Sequence, residues 1–270
     1  MKRAGGLFER IIAWENLERS ARKARRGKRF RLYVEEFELK RETIIRQLHD
    51  ELASESWRPQ TYRTFTIYDP KQRLVSAPAY RDRIVHHALC NVIAPVLERS
   101  MSAHSYSCRV GMGTGAARRE CKRLVARYRY VLKMDVQKYF PSIDHAILKG
   151  KLARVIKCPP TLRLIGVIID TWRDGEEPPR WFPGDDLLAP ACQPHGLPIG
   201  ALTSQLLANL YLTRLDHLIE EHIKPSGYVR YTDDLLLFSD SKDRLKTARE
   251  RLVREMVVER LKPQDRKSVV

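Results

Sequence analysis

The sequence predicts an α+β fold, and three observations carry that expectation. Long stretches space apolar residues as helices do, for example Ile84, Val85, Ala88, Leu89, Val92 and Ile93. Residues 61–76 and 228–238 each read as two short β-favouring runs around a polar break, the mark of a hairpin. A further run, Tyr130 to Val136, alternates: Leu132, Met134 and Val136 face a core, while Lys133 and Asp135 face the other side.

In chain order, residues 7–26 read as one helix through Leu7, Phe8, Ile11, Ile12, Trp14 and Leu17. Its end turns densely basic, with Arg19, Arg22, Lys23, Arg25, Arg26, Lys28, Arg29 and Arg31 and no acid among them. Such a run is either a solvated face or a nucleic-acid contact, and its single sign favours the contact. A second, acid-rich helix is expected over residues 32–54. In the hairpin at 61–76 the turn carries Lys71 and Arg73. Ammonium and guanidinium groups are natural phosphate donors, and an exposed basic turn explains the pair equally well.

Residues 80–98 read as a buried helix with Arg81 and Arg83 at its start, where cations oppose the helix dipole unless an anion or solvent compensates them. The adjacent His86 and His87 are read as packing or hydrogen-bonding residues. The glycine-rich segment 105–115 contains Arg109 and lacks phosphate-loop spacing. A helix near 162–172 and a loop rich in proline, glycine and acids follow, read as a surface insertion near 158–191. Residues 196–200 open a helix carrying Leu202, Leu206, Leu207 and Leu210, and residues 242–261 form a charged amphipathic helix.

The chain has 270 residues, 43% of them hydrophobic, enough for one large domain or two small ones. Fifty Lys and Arg against 33 Asp and Glu give a net charge of +17, which points to nucleic acid, with an anionic membrane surface as the rival partner. No apolar run reaches the roughly 20 residues of a spanning helix, so no membrane role and a cytoplasmic location are expected. The five cysteines are scattered and without a CxxC pair, which argues against a disulfide framework or a zinc site.

Chemistry concentrates on carboxylates. Asp233 and Asp234 sit at the break of the 228–238 hairpin, and Asp135 ends a hydrophobic strand. Alone, an Asp pair is a solvated turn. A third acid in a poor electrostatic position calls for a compensating cation. Mg²⁺ takes carboxylate and phosphate oxygens, and two such ions about 4 Å apart on a few Asp residues are a recurring device of polymerases and nucleases.

Tyr231-Thr232-Asp233-Asp234 with Asp135-Val136-Gln137-Lys138-Tyr139-Phe140 resembles the palm of a reverse transcriptase. Gly196 to Gln205, with Ile199 where most such enzymes carry Gln and Ser204-Gln205 where they carry Ser-Pro, is similar to the reverse transcriptases of diversity-generating retroelements. The resemblance implies the fingers and palm of a right-hand polymerase, with an antiparallel palm sheet and helices. It divides the chain into basic helices and fingers over 1–128 and palm over 129–270, with the thumb missing. Asp135, Asp233 and Asp234 become the catalytic residues, holding two Mg²⁺ (or Mn²⁺) with the Val136 carbonyl. Lys71, Arg73, Phe140, Ile199 and Gly200 become nucleotide-binding, Phe140 as the gate against a 2′-hydroxyl. Arg22, Lys23, Arg25, Arg26, Lys28, Arg29 and Arg109 become nucleic-acid-binding, and Lys267 a general acid. The implied partners are template RNA, a DNA or RNA primer, dNTPs and a small basic accessory protein. The implied activity is RNA-directed DNA synthesis, error-prone at template adenines. The alternatives are a group II intron or retron-type enzyme, or an inactive nucleic-acid-binding remnant.

Overall fold

The structure, a computed structural model, describes residues 2–68, 72–172 and 180–264. In chain order its elements are α1 (Phe8–Ile12), α2 (Trp14–Arg25), α3 (Leu32–Leu39), α4 (Arg41–Ala53), β1 (Arg63–Ile67), β2 (Arg73–Ala77), α5 (Tyr80–Glu98), α6 (Thr114–Val125), β3 (Tyr130–Met134), α7 (Tyr139–Ser142), α8 (His145–Val155), α9 (Pro159–Thr171), α10 (Ala189–Cys192), α11 (Leu202–Tyr211), α12 (Thr213–Leu218), a π turn (Ile219–Ile223), β4 (Gly227–Tyr231), β5 (Asp234–Ser239) and α13 (Lys242–Val258). Helices and antiparallel sheets make an α+β chain, as expected.

Two compact units interleave along the sequence. One comprises residues 1–99, 149–173 and 197–206, the other 100–148, 174–196 and 207–270.

The first unit is helical around α5, whose Ile84, Val85, Ala88, Leu89 and Ile93 are buried. The expected helix over 7–26 is broken at Ala13, which is extended (φ −50°, ψ 135°). The side chain of Asn16 holds the break, its Nδ2 donating to the carbonyls of Ile11 (2.9 Å) and Ala88 (3.0 Å). The expected helix over 32–54 is likewise two helices, parted at Lys40. Arg81 at the start of α5 finds its anion in Glu51. Helix α9 was expected near a surface insertion, but Thr161, Leu164, Ile165, Ile168 and Ile169 bury one face of it. Proline at its first turn suits a helix start, where no intrahelical donor is needed.

His86, buried on α5, meets the hydroxyl of Thr203 through Nδ1 at 2.9 Å. Burial, and then the neighbouring His87, lower its pKa to about 4. The unfolded chain takes up this proton near pH 6.5, whereas the folded chain refuses it until about pH 4. Stability that is whole above pH 6.5 is therefore lost progressively as the pH falls towards 4, by up to about 3 kcal/mol. Urea midpoints measured across that range are expected to fall in the parent and to flatten in His86→Gln.

The second unit is built on a three-stranded antiparallel sheet in the order β3-β5-β4. Leu132 of β3 lies opposite Leu237 of β5, and Val229 of β4 opposite Leu236. As the alternation predicted, Leu132, Met134 and Val136 are buried while Lys133 is exposed. Helix α6 packs close over β4 through Leu124, against Val229 and Phe238. Gly227 permits this approach, since a Cβ there would lie 2.6 Å from the Leu124 side chain. Each edge of the sheet is met at one point by another segment, β4 at Arg230 and β3 just past its end. Arg230 of β4 exchanges backbone bonds with His104 (2.8 Å) and Tyr106 (2.9 Å). Beyond β3, Gln137 N–H donates to Lys262 and Gln264 N–H to Asp135, at 2.9 and 2.8 Å.

Candidate active site

In the second unit, β4 ends at Tyr231 and β5 begins at Asp234, and these two residues pair. Thr232 and Asp233 are thus a two-residue hairpin loop, with Thr232 in the left-handed region at φ 56°. Met134 pairs with Leu235, so Asp135, one residue past β3, comes level with Asp234 at the same end of the sheet. The carboxyl of Asp135 lies near that of Asp233, close enough for each charge to act on the other. Burial, and next the charge of Asp135, push Asp233 up to about 7. Asp234 is paired with Lys133, Nζ to Oδ1 at 3.0 Å.

Among the described residues no three His, Cys, Asp or Glu side chains converge as a ready-made metal cage. The arrangement still suits a hard divalent cation. Two carboxyls this close repel unless a proton or a cation lies between them, and Mg²⁺ commonly takes one or two carboxylates and completes its shell with water and substrate phosphates. The pairing with residues 262–264 uses the Asp135 carbonyl and the Gln137 N–H, leaving Val136's own carbonyl outside it.

Phe140 is half-buried, whereas its neighbour Tyr139 is buried and bonds the Ala208 carbonyl. The core aromatic of this pair is therefore Tyr139, and the Phe140 ring reaches solvent. Arg109 braces its own loop. Its Nη1 donates to the carbonyls of Ser102 and Ser105, the latter at 2.9 Å. A cation in a glycine-rich segment has the same appearance in sequence whether it serves a ligand or its own backbone.

In the first unit, the β1–β2 hairpin is antiparallel with Phe65 opposite Val75, and Arg73 stands exposed at the start of β2. Lys71, like Lys267, lies outside the described residues. The Ile199 carbonyl accepts the Ser76 N–H at 2.7 Å, so this segment lies along β2. Gly200 follows at φ 119°, and a Cβ there would sit 2.8 Å from Val75 and 3.1 Å from the Ser76 carbonyl. Only glycine suits both that backbone and that approach. Beside it lies a cavity of about 650 Å³ whose lining includes Lys28, Arg63, Arg83, Tyr33, Phe65 and Gln205. Cations interleaved with aromatic rings are what a single nucleic-acid strand requires. Sequence reading missed this cavity, although Arg63 and Phe65 alternate onto one face of β1. Of the basic run, Arg22, Arg26, Lys28 and Arg29 are exposed. Lys23 is tied to Asn91 (2.5 Å), and Arg25 stands 3.7 Å from Glu38.

A carboxylate-bearing hairpin on an antiparallel sheet, with a helical unit bearing a second hairpin, is the palm and fingers of a right-hand polymerase. A solved structure described as apo telomerase from Candida tropicalis truncated from C-terminal domain shares this fold, at TM-score 0.50 and 12% identity over 82% of this chain and 53% of that one. Residues 68–270 match the family described as reverse transcriptase (RNA-dependent DNA polymerase), and the chain belongs to that family. The retron Mx65 reverse transcriptase of Myxococcus xanthus is 29% identical over 198 residues, covering 71% of this chain and 44% of that protein. The putative COX1/OXI3 intron 1 protein of Saccharomyces cerevisiae is 25% identical over 181 residues, covering 66% of this chain and 20% of that protein. The chain thus spans less than half the length of these curated relatives.

Proposed function

We propose that the protein copies an RNA template into DNA by nucleotidyl transfer at Asp135, Asp233 and Asp234. The observation that carries this reading is the strand register that brings Asp135 and the Asp233-Asp234 turn to one end of the sheet. The three carboxylates, with the Val136 carbonyl, would hold two Mg²⁺, with Mn²⁺ as a substitute. Bound there, such ions lower the pKa of the attacking 3′-hydroxyl and neutralise the leaving pyrophosphate. The chain's own residues do the rest. Lys71 and Arg73 hold the triphosphate, the ring of Phe140 excludes a 2′-hydroxyl, and Lys267 supplies a proton to pyrophosphate. Arg22, Lys23, Arg25, Arg26, Lys28 and Arg29 hold the template or primer backbone.

Within the family, Ile199 and Ser204-Gln205 support assignment to the diversity-generating retroelements, with copying that is error-prone at template adenines. That reading brings a small basic accessory protein as partner and the cytoplasm as location; no helix of the described residues is long and apolar enough to cross a membrane. The similarity to a retron enzyme and an intron protein favours the alternative, a retron or group II intron-type enzyme.

Sequencing cDNA made by the full-length protein on one defined RNA tests the assignment. The Ile199 backbone is anchored to β2, so replacing its half-buried side chain changes the groups near the copied pair and little else. Glutamine restores a donor and an acceptor, and one positioned hydrogen bond contributes roughly 0.5–1.5 kcal/mol. Ile199→Gln is expected to lower errors up to about tenfold with extension retained. Identical error spectra would remove Ile199 from the fidelity argument and favour the alternative.

A further inference from the structure

Arg230 is the one cation of the β4–β5 hairpin, and it is wholly buried. Burying a guanidinium demands that its charge and its N–H groups all find partners. Here they do. Nε and Nη2 donate to the two carboxylate oxygens of Asp216, each at 2.7 Å. Nη1 donates to the Asn209 side-chain oxygen (3.2 Å) and to the Thr232 carbonyl (2.9 Å), and Nη2 also reaches the Asn209 carbonyl (3.3 Å). Asp216 is itself buried and accepts from the Tyr228 hydroxyl at 2.6 Å.

The bond to Thr232 gives the network its direction. Thr232 immediately precedes Asp233 and holds φ 56°, a conformation costly for a β-branched residue. It is gripped at two points. Its carbonyl accepts from Arg230, and its hydroxyl donates to the Ser107 hydroxyl at 2.8 Å. Ser107 in turn accepts, through its carbonyl, the Asn209 amide at 2.7 Å, which closes a ring of bonds back to Arg230. A buried ion pair is weak support for stability, since apolar packing often serves as well. A fork that satisfies its counterion and still bonds one loop carbonyl does what apolar packing cannot, which is to fix that loop.

We propose that Arg230, carried by Asp216 and Asn209 and seconded by Ser107, is the positioning residue that sets the Thr232–Asp233 turn, and so places the Asp233 carboxylate to take a divalent cation. This rests on the proposed role of Asp233 as a metal-holding residue. Arg230→Lys keeps the buried charge beside Asp216 but lacks the fork that reaches Thr232 at the same time.

The test uses the full-length protein, with Mn²⁺ binding followed by the electron paramagnetic resonance of the free ion and with primer extension run beside it. Outer-shell partners of metal sites commonly carry about tenfold to a hundredfold in affinity or activity. Arg230→Lys is expected to lose that much Mn²⁺ affinity and a similar factor in kcat, with KM for dNTP and the melting temperature near parental. Ser107→Ala, which leaves the buried charges untouched, is expected to show a smaller loss of the same kind. Parental Mn²⁺ affinity and kcat in a folded Arg230→Lys overturn the proposal. Should that variant fail to fold, parental values in Ser107→Ala overturn it instead. Asp233→Asn separates the two layers: if it binds Mn²⁺ as the parent does, the reading of Asp233 falls and the positioning role with it. If it loses binding while Arg230→Lys keeps it, only the positioning role falls.

Discussion

Primer extension on RNA is expected to fall by about three orders of magnitude or more in Asp233→Asn, with binding of primer–template unchanged. The substitution keeps the size of the side chain and removes a charge from the pair formed with Asp135. A metal-bound carboxylate supports several kcal/mol of transition-state stabilisation, and each 1.36 kcal/mol is about tenfold in rate. The same change removes the buried charge, and with it the repulsion from Asp135, that together push Asp233 up to about 7, so the folded protein is expected to be no less stable. Single-turnover extension with saturating dNTP and Mg²⁺ measures the effect. Extension at the parental rate would mean that the hairpin carboxylates are a solvated turn after all.

The second large effect lies in salt dependence. Arg22, Arg26, Lys28 and Arg29 are exposed at and beyond the end of α2. Replacing all four by Gln is expected to flatten the log–log dependence of single-stranded RNA affinity on salt by about 2.8, taking about 0.7 for each phosphate that is no longer neutralised. Between roughly 50 and 200 mM salt the parent would then lose about 50-fold more affinity than the variant. Lys23 and Arg25 are omitted because Asn91 and Glu38 engage them within the fold. A parallel pair of salt titrations checks this, and an unchanged slope would make the run a solvated face.

What the sequence made legible follows from the range of the interactions concerned. Strand β3 was readable because alternation is local: Leu132 and Met134 turned inwards and Lys133 outwards, as their spacing required. The bounds of α5 were readable for the same reason. The breaks at Ala13 and Lys40 were not, since one residue's change of ψ leaves no periodic trace, and the first is held by an Asn16 amide that reaches Ala88. At the site, the carboxylates announced themselves by type and setting. Their supports did not. Nothing in the composition of Lys262-Pro263-Gln264 marks it as the edge partner of Asp135 and Gln137, and Arg109 and Arg230 differ from solvent-facing arginines only in what surrounds them.

The bond between Ser76 and Ile199 also bears on how the protein comes into being. A lone two-stranded hairpin is marginal in water, and every residue of β1 is exposed. Its neighbour along β2 is supplied by a segment that leaves the ribosome only after all the residues between them have been made. At about 5–20 residues per second the hairpin waits several seconds for that segment. Throughout that wait Val75 and Ser76, which Ile199 and Gly200 meet in the folded protein, are left uncovered. Slow translation or a high density of nascent chains should therefore raise aggregation through this hairpin, and the non-local closure predicts a slow final folding phase.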